Sequence, residues 1–567
     1  MAKSFFGLFQ TAVEEEPLSS VKSVQAWAAR LPANDPMGTV RAMIHLLEDI
    51  STRQPAMTPN RVQALVAFDS LSLGPLGQLQ VQYRLPTLSD DVRQQLWYAR
   101  NDLARWFAFA YEQVYEGVRN QPDRQKYQAL LPGVFSRMFY YRGVQAKQGL
   151  FRYEQWIPAK WKFLHAAYGQ ALELGVATEG FSLVDNGPPG DRRSAEQEYI
   201  HFLLMQRVNT GNLSVLQIDT AATWLRDWVP VLQLMQAPRD GDQQWMLDLS
   251  HSEGLLPCAA TVAAGRLLLY LDVAPLRGQL TELGTRLTEL LAKGGTKGEV
   301  RDLKERLVLV RRLELLWLPN AGIQQRRSER QLDQQPVLVA AGWSEIAIFM
   351  RETRPWKPHD PYRYTYDDAA DLVALGRTPP PKTDKPEGGK NLHPDRRGWQ
   401  IHDTSETGCR IVSTTRQAAQ IQLGALVTIL RETDTRWRVA IVRRLKRRTA
   451  EHTELGLEII ADNSILVMPE PVLTTANKDA LGRTIEGKRF DALYLPPTQS
   501  TTMAPVYSLV LPVSEYVAGR LLAMTLEGQP RVIRLAVAIE HHKDWVWSTF
   551  EAAAPAARDQ DQVDQVA

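Results

Sequence analysis

The segment Asp403-Thr404-Ser405-Glu406-Thr407-Gly408 decides how the fold and function of the chain are interpreted. Short apolar-rich stretches lie on both sides of it, a pattern that predicts two β-strands joined by a polar turn. The carboxylate of Asp403 only accepts hydrogen bonds, the hydroxyl of Ser405 donates or accepts them, and Gly408 lacks a Cβ and leaves room for a planar ring. A guanine base donates N1–H and amino hydrogens to a carboxylate, while its O6 and N7 edge favours arginine. The segment is therefore a candidate purine site that requires arginines.

Arginines suited to such a site occur far upstream, at Arg326, Arg327 and Arg330. They precede the apolar run 335–343, whose composition predicts a β-strand. Because the guanidinium group is planar, it forms paired hydrogen bonds with phosphate or guanine oxygens and also stacks on a base. The sequence thus contains two halves of a guanine-nucleotide site, separated along the chain.

The order of these motifs resembles a PilZ domain. An Arg-x-x-x-Arg motif, a strand, the Asp-x-Ser-x-x-Gly motif and strand patterns at 424–427, 437–442 and 454–457 follow one another over roughly residues 324–470. PilZ domains are small β-barrels that bind the bacterial second messenger cyclic di-GMP. The family pattern separates the two motifs by fewer residues than this sequence does. The excess is an insertion at about residues 352–397, which includes a Pro- and Gly-rich stretch that predicts a loop.

The resemblance implies a cyclic di-GMP site with no catalytic residue and no metal ligand. Its members would be Arg326, Arg327, Arg330, Asp403, Ser405 and Gly408. The arginines would hold phosphate and guanine, the acid and the hydroxyl would contact a guanine, and the glycine would shape the turn.

The composition is that of a soluble globular protein of three or four domains. The chain has 567 residues, with 66 Lys and Arg against 64 Asp and Glu, so its formal charge is +2. A net charge this small does not indicate binding of the whole chain to nucleic acid or to an anionic membrane. No apolar run approaches the roughly 20 residues of a membrane-spanning helix. Only Cys258 and Cys409 occur, which fits a reducing cytoplasm and excludes a thiolate metal cluster. We therefore expect a cytoplasmic protein.

The region before the arginine motif is predicted to be mainly helical. Its clearest helix has apolar residues spaced three and four apart, namely Leu303, Leu307, Val310, Leu313 and Trp317. The Trp and Tyr residues between 97 and 161 recur at helical spacing, which favours a core over a stacking surface for bases. The segments 245–249 and 266–272 are either strands or buried helical segments, because short apolar runs do not distinguish the two.

The predicted fold class is α+β multidomain. Its parts are a mainly α-helical domain at 1–320, a PilZ-like six-stranded β-barrel at 321–470, a second small β domain at 471–555 and a disordered tail at 556–567.

Enzyme motifs are missing from the sequence: it has no Gly-x-Ser-x-Gly elbow, no His-Glu-x-x-His helix and no phosphate loop. His541 and His542 do not favour a metal site, because adjacent strand residues point to opposite faces. The leading hypothesis is a non-enzymatic cyclic di-GMP receptor without a cofactor, whose helical domain binds a protein partner. Two alternatives stay open: a scaffold with a non-binding barrel, and a nucleic-acid binder that uses the basic cluster at 443–448.

Overall fold

The computed structural model divides the chain into two compact units, residues 1–325 and 326–567. They are named the helical unit and the β unit below. The predicted limits at 320, 470 and 555 stay predictions. The residues that the structure describes are 16–32, 34–85, 88–119, 121–182, 192–239, 241, 244–258, 267–319, 330–352, 398–405, 407–414, 418, 421–431, 437–449, 452–472, 488–496, 507–526 and 528–553. Arg326, Arg327, the insertion from 353 to 397 and the tail from 556 to 567 lie outside them.

Long helices dominate the helical unit, and side-chain caps start several of them. The hydroxyl of Ser20, Ser194, Ser214 or Thr296 accepts a hydrogen bond from the backbone amide three residues later, which satisfies a donor that the first helical turn leaves free. The helices are α1 Val21–Ala28, α2 Pro36–Arg53, α3 Pro59–Tyr83, α4 Asp90–Arg119, α5 Leu131–Phe151, α6 Pro158–Glu173, α7 Ala195–Arg207, α8 Val215–Trp228, α9 Ala274–Ala292 and α10 Lys297–Trp317.

Aromatic residues of α4 to α7 form the centre of this unit, which confirms the interpretation of their spacing as core. The fully buried carboxylate of Asp69 lies among them and accepts hydrogen bonds from the hydroxyls of Tyr111, at 2.7 Å, and Tyr141. The Nε atom of Arg137 is 3.3 Å from the same carboxylate. A buried charge is stable only with such partners, so this network fixes how the helices pack.

The two apolar segments that the sequence left open are strands. The helical unit contains β1 Phe181–Ser182, β2 Arg192–Arg193, β3 Leu234–Met235, β4 Gln244–Asp248, β5 Leu256–Pro257 and β6 Leu268–Asp272. The last four form an antiparallel sheet in the order β3-β6-β4-β5. The predicted helix α10 is confirmed, and its last residue Trp317 is buried with its indole N–H donating to Leu204 O at 3.0 Å.

A closed β-barrel forms the first part of the β unit. Its elements are β7 Gln331–Leu332, β8 Pro336–Ala341, α11 Trp343–Glu352, β9 Trp399–Ser405, β10 Gly408–Ser413, β11 Leu426–Arg431, β12 Arg438–Arg447 and β13 Thr453–Ala461. Antiparallel pairing runs β8-β9-β10-β13-β12-β11 and returns to β8, which closes a ring of six strands, while β7 pairs with β9. The predicted six-stranded barrel is confirmed.

A second antiparallel sheet follows and curves into a half-barrel. Its strands are β14 Ile465–Val467, β15 Glu470–Pro471, β16 Ala492–Leu495, β17 Ser508–Pro512, β18 Leu521–Leu526, β19 Gln529–His541 and β20 Trp545–Ala552, in the order β14-β16-β17-β20-β19-β18-β15. Buried residues from both sheets, including Leu426 and Ile441 of the barrel and Leu493 and Trp545 of the half-barrel, form one hydrophobic cluster. The β unit therefore folds around a shared core. In the described ranges, no helix combines the length and apolar character needed to traverse a bilayer.

Candidate functional site

A β-bulge on β9 sets the position of Asp403. Asp403 pairs with Arg410 on β10, but the next pair along the strands is Ile401 with Ile411, so His402 is an extra residue on β9. His402 and Asp403 together therefore face Arg410. A bulge of this kind redirects side chains and is common beside functional sites.

Two arginines hold the carboxylate of Asp403 from opposite sides. Nη1 of Arg330 is 2.5 Å from Oδ1, and Nε of Arg410 is 2.7 Å from Oδ2. The Asp403 side chain is only 8% exposed, whereas those of Arg330 and Arg410 are 41% and 34% exposed. A carboxylate this deeply buried needs charged partners. The two guanidinium groups supply them and still present other N–H donors to solvent.

Strand pairing explains how Arg330 reaches a residue 73 positions away in sequence. Arg330 directly precedes β7, and β7 pairs with β9 so that Leu332 lies opposite Asp403. The structure thus brings the second arginine of the predicted motif to the predicted acid. The roles of Arg326 and Arg327 stay predictions, because both lie outside the described residues.

Ser405 and Gly408 close the hairpin. They are paired across it, and Oγ of Ser405 donates a hydrogen bond to the carbonyl oxygen of Gly408 at 3.1 Å. A Cβ at position 408 would lie 2.5 Å from the carbonyl oxygen of Leu457 on β13. Glycine is required here because a neighbouring strand approaches closely, a reason that the sequence pattern did not indicate.

Arg410 and His402 are members of this cluster that the sequence analysis did not select. Nη2 of Arg410 lies 2.6 Å from Nδ1 of His402. The signal that could have found Arg410 is the hairpin itself, since pairing Ser405 with Gly408 places Arg410 opposite Asp403. The bulge that adds His402 has no such local signal.

Two family models match the chain. The model for the cyclic-di-GMP receptor FimW, N-terminal domain, matches residues 22–239, and the model for the middle PilZ domain of the same receptor matches residues 351–465. Together the matches cover more than half of the chain. The chain belongs to the FimW family. No curated protein matches it.

The match to the FimW PilZ domain and the observed barrel overlap without coinciding. The matched range includes Asp403, Ser405, Gly408 and Arg410, whereas Arg330 and strand β8 precede it. The structure therefore shows the first barrel strand and the position of Arg330, which the match does not include, while the arginine motif as a whole stays a prediction.

Internal contacts divide the basic cluster of this FimW-family chain, in which a β-bulge lies at Arg443. The Arg443 guanidinium bonds Glu458 at 2.6 Å and Glu540 at 2.6 and 2.7 Å, and buried Arg447 donates to the carbonyl oxygen of Ile421 at 2.7 Å. These two arginines are occupied within the β unit. Arg448 is also paired, with Glu454 at 3.0 Å, so fewer cations of the cluster are open to a ligand than its sequence indicates.

No set of metal ligands occurs in the part of the chain that the structure describes. His542 instead stacks on Trp545, with ring centroids 5.4 Å apart, and burial lowers the pKa of its imidazole. Cys409, next to the site, faces the barrel interior, and burial raises the pKa of its thiol to about 12 against the opposing effect of Arg438 and Arg431. The exposed guanidinium groups beside Asp403 are chemically suited to binding an oxyanion and a purine.

Proposed function

We propose that this chain is a non-enzymatic receptor for cyclic di-GMP, with the messenger bound at the arginine motif and the Asp403 hairpin. The observation that supports this most is the meeting of Arg330 with Asp403 on a closed six-stranded barrel, in a chain matched by both FimW domain models. Ser405, Gly408 and the two preceding arginines of the motif complete the proposed site. The predicted bacterial and cytoplasmic setting belongs to the same proposal.

The chemistry of the messenger fits these groups. A guanidinium has five N–H donors, and Arg330 directs one nitrogen to Asp403 while much of its side chain faces solvent. Phosphate oxygens and the O6 and N7 atoms of guanine accept hydrogen bonds from such donors. The Asp403 carboxylate has about four acceptor positions and uses two for arginines. It therefore orients the arginines and keeps capacity for the donor edge of a guanine.

Binding is proposed to act on the helical unit through the connecting segment. Helix α10 ends at Trp317, and the boundary between the units falls between Gln325 and Arg326, at the start of the arginine motif. A messenger held by these arginines would restrain this segment and change what protein the helical unit binds. Such a switch requires the messenger to favour one arrangement over another. Limited proteolysis tests it: cyclic di-GMP should slow cleavage between residues 319 and 335, and an unchanged pattern would contradict the coupling.

Calorimetric titration with cyclic di-GMP tests the site itself. A charge-assisted hydrogen bond contributes about 1.5–3 kcal/mol, so Arg330→Ala and Asp403→Ala should each weaken binding by about 10- to 100-fold. Arg489→Ala is the matched control, because this arginine is 69% exposed and pairs only with Glu470 among the described residues. Wild-type affinity in both site variants would refute the site, and failure of the wild-type protein to bind would refute the function.

A further inference from the structure

A cavity of about 280 Å³ lies in the helical unit, between helices α2, α3 and α4. Trp106, Ala110, Val114 and Gly117 of α4 form one side of it and are spaced four, four and three residues apart, so they share one face of the helix. They are called the α4 stripe below. Alanine and glycine have almost no side chain, which leaves space above this face. Ligand pockets in proteins are commonly about 300–1,000 Å³, so the cavity suits a small ligand.

The opposite side of the cavity is largely apolar and is held in place. Leu47 and Ile50 of α2 and Leu65 of α3 line it. The loop between these helices forms one edge, and the carbonyl oxygen of Met57 in that loop accepts a hydrogen bond from the Tyr127 hydroxyl at 3.0 Å. Walls that are anchored without a ligand lower the cost of ordering them when one binds.

Arg61 supplies an unused hydrogen-bond donor at this cavity. Its Nη1 and Nη2 atoms donate to the two carboxylate oxygens of Glu16 at 2.8 and 2.7 Å. Its Nε–H is buried and has no acceptor among the residues that the structure describes. A buried donor without an acceptor is costly, and its presence in a folded protein points to a bound water or ligand. The edge of the guanidinium group that carries Nε is therefore open to a ligand oxygen.

The charges at the cavity cancel. In the described part of the chain, Arg61 is the only charged residue that lines it, and Glu16 neutralises this arginine. The hydrogen bond from Arg61 lowers the pKa of Glu16 against the effect of burial, so the acid is ionised. A ligand carboxylate would be repelled by Glu16, whereas an uncharged carbonyl oxygen would not. The amide groups of Gln54, Gln113 and Gln121 offer further donors and acceptors.

We propose that this cavity binds an uncharged aliphatic molecule that ends in a polar group with a carbonyl oxygen. One water takes up about 30 Å³ of the liquid, so a cavity of about 280 Å³ accommodates about ten non-hydrogen atoms. In the proposed arrangement, the aliphatic chain lies on the α4 stripe and the carbonyl oxygen accepts a hydrogen bond from Nε of Arg61. The site belongs to the helical unit and does not rest on the function proposed for the β unit.

Ligand-observed saturation-transfer NMR on the full chain tests this site with two probes of this size, octanamide and octanoate. The two probes have the same chain length and differ in charge. Octanamide should bind saturably in about the millimolar range, as expected for a ligand of so few atoms. Octanoate should bind about tenfold more weakly or worse, because its carboxylate meets Glu16.

Variants that fill the cavity or remove the donor should weaken octanamide binding. Ala110→Phe should do so by about tenfold or more, because the added ring occupies the cavity. Gly117→Leu, at an exposed position of the α4 stripe, is a second filling variant if the first unfolds. Ala166→Phe is the matched control, since it adds the same ring at an exposed position of α6 and should bind as the wild type does. Arg61→Lys keeps the positive charge but loses Nε, so binding should weaken by about three- to tenfold.

A change of Glu16 tests the charge argument separately. Glu16→Gln leaves Arg61 without a neutralising acid, so octanoate should bind about tenfold more tightly than it does to the wild type. The inference is overturned if octanamide does not bind the wild type up to its solubility limit, or if the folded filling variants bind it with wild-type affinity. Equal affinity of the wild type for both probes, or an unchanged octanoate affinity in Glu16→Gln, would overturn the assignment of an uncharged ligand.

Discussion

Replacing Asp403 with asparagine should loosen the pairing of β7 and β9 even without ligand. Asparagine preserves the shape of the side chain but removes the charge that holds Arg330 at 2.5 Å and Arg410 at 2.7 Å. Breaking a fully buried ion pair costs about 3–5 kcal/mol, and breaking an exposed one costs about 0.2–1 kcal/mol. The acid here is buried and both arginines are more than one-third exposed, so solvent screens part of the interaction. We expect a local loss of about 1–2 kcal/mol.

Hydrogen exchange measured by mass spectrometry checks this value. If the free energy of local opening falls by about 1–2 kcal/mol, amide hydrogens in peptides that contain β7 and β9 should exchange about 5- to 30-fold faster. The control is Asp462→Asn, which neutralises an acid that is 61% exposed and lies 3.3 Å from Arg438. This control should change exchange in the preceding strand β13 by about threefold or less. Equal protection of β9 in the wild type and in Asp403→Asn would refute the reasoning that the carboxylate organises the site.

Three further predictions concern stability. Gly408→Ala should destabilise the β unit by about 1–3 kcal/mol in urea unfolding, because its Cβ would meet the Leu457 carbonyl oxygen at 2.5 Å. Tyr111→Phe should destabilise the helical unit by about 1–3 kcal/mol in the same assay, because Asp69 would lose a buried donor. Burial, together with nearby cations, lowers the pKa of His201 to about 3, so only the unfolded state takes up this proton between about pH 6.5 and pH 3. His201 therefore makes stability fall as the pH drops through that window, by about 2 kcal/mol at pH 5, and His201→Gln should flatten the dependence.

Controls separate these effects from general damage. Gly298→Ala lies near the start of α10 with no atom within 4 Å of the added Cβ, so it should be neutral or slightly stabilising. If Gly408→Ala changes the stability as little as Gly298→Ala does, the close approach of β13 is not the reason that position 408 holds a glycine. If Tyr111→Phe unfolds at the same urea concentration as the wild type, the hydrogen bond from the Tyr111 hydroxyl to Asp69 does not contribute to stability. An unchanged pH profile in His201→Gln would assign the acid sensitivity to other groups.

Local patterns in the sequence predicted a large part of this fold. The spacing of apolar residues such as Leu313 and Trp317 identified α10, and the strand composition around Asp403 identified the hairpin. The resemblance of the motif order to a PilZ domain then predicted the barrel. These predictions succeed because helical periodicity and hairpin pairing depend on residues close together in the chain. The segments 245–249 and 266–272 were ambiguous because a short buried run looks the same in a strand and in a helix.

The sequence by itself determined the candidates for the proposed site, which are an arginine motif and an acid and hydroxyl in a hairpin, and it predicted the helical region before them. Only the tertiary structure decided their grouping. It brought Arg330 to Asp403 through β7, added His402 through a bulge, and separated Arg444 from the occupied Arg443. Strand register and bulges arise from pairing between distant segments, and shifting a register by one residue exchanges the two faces of a sheet. For that reason the local hairpin pattern could indicate Arg410, but no local pattern could specify that Arg330 shares a surface with the acid.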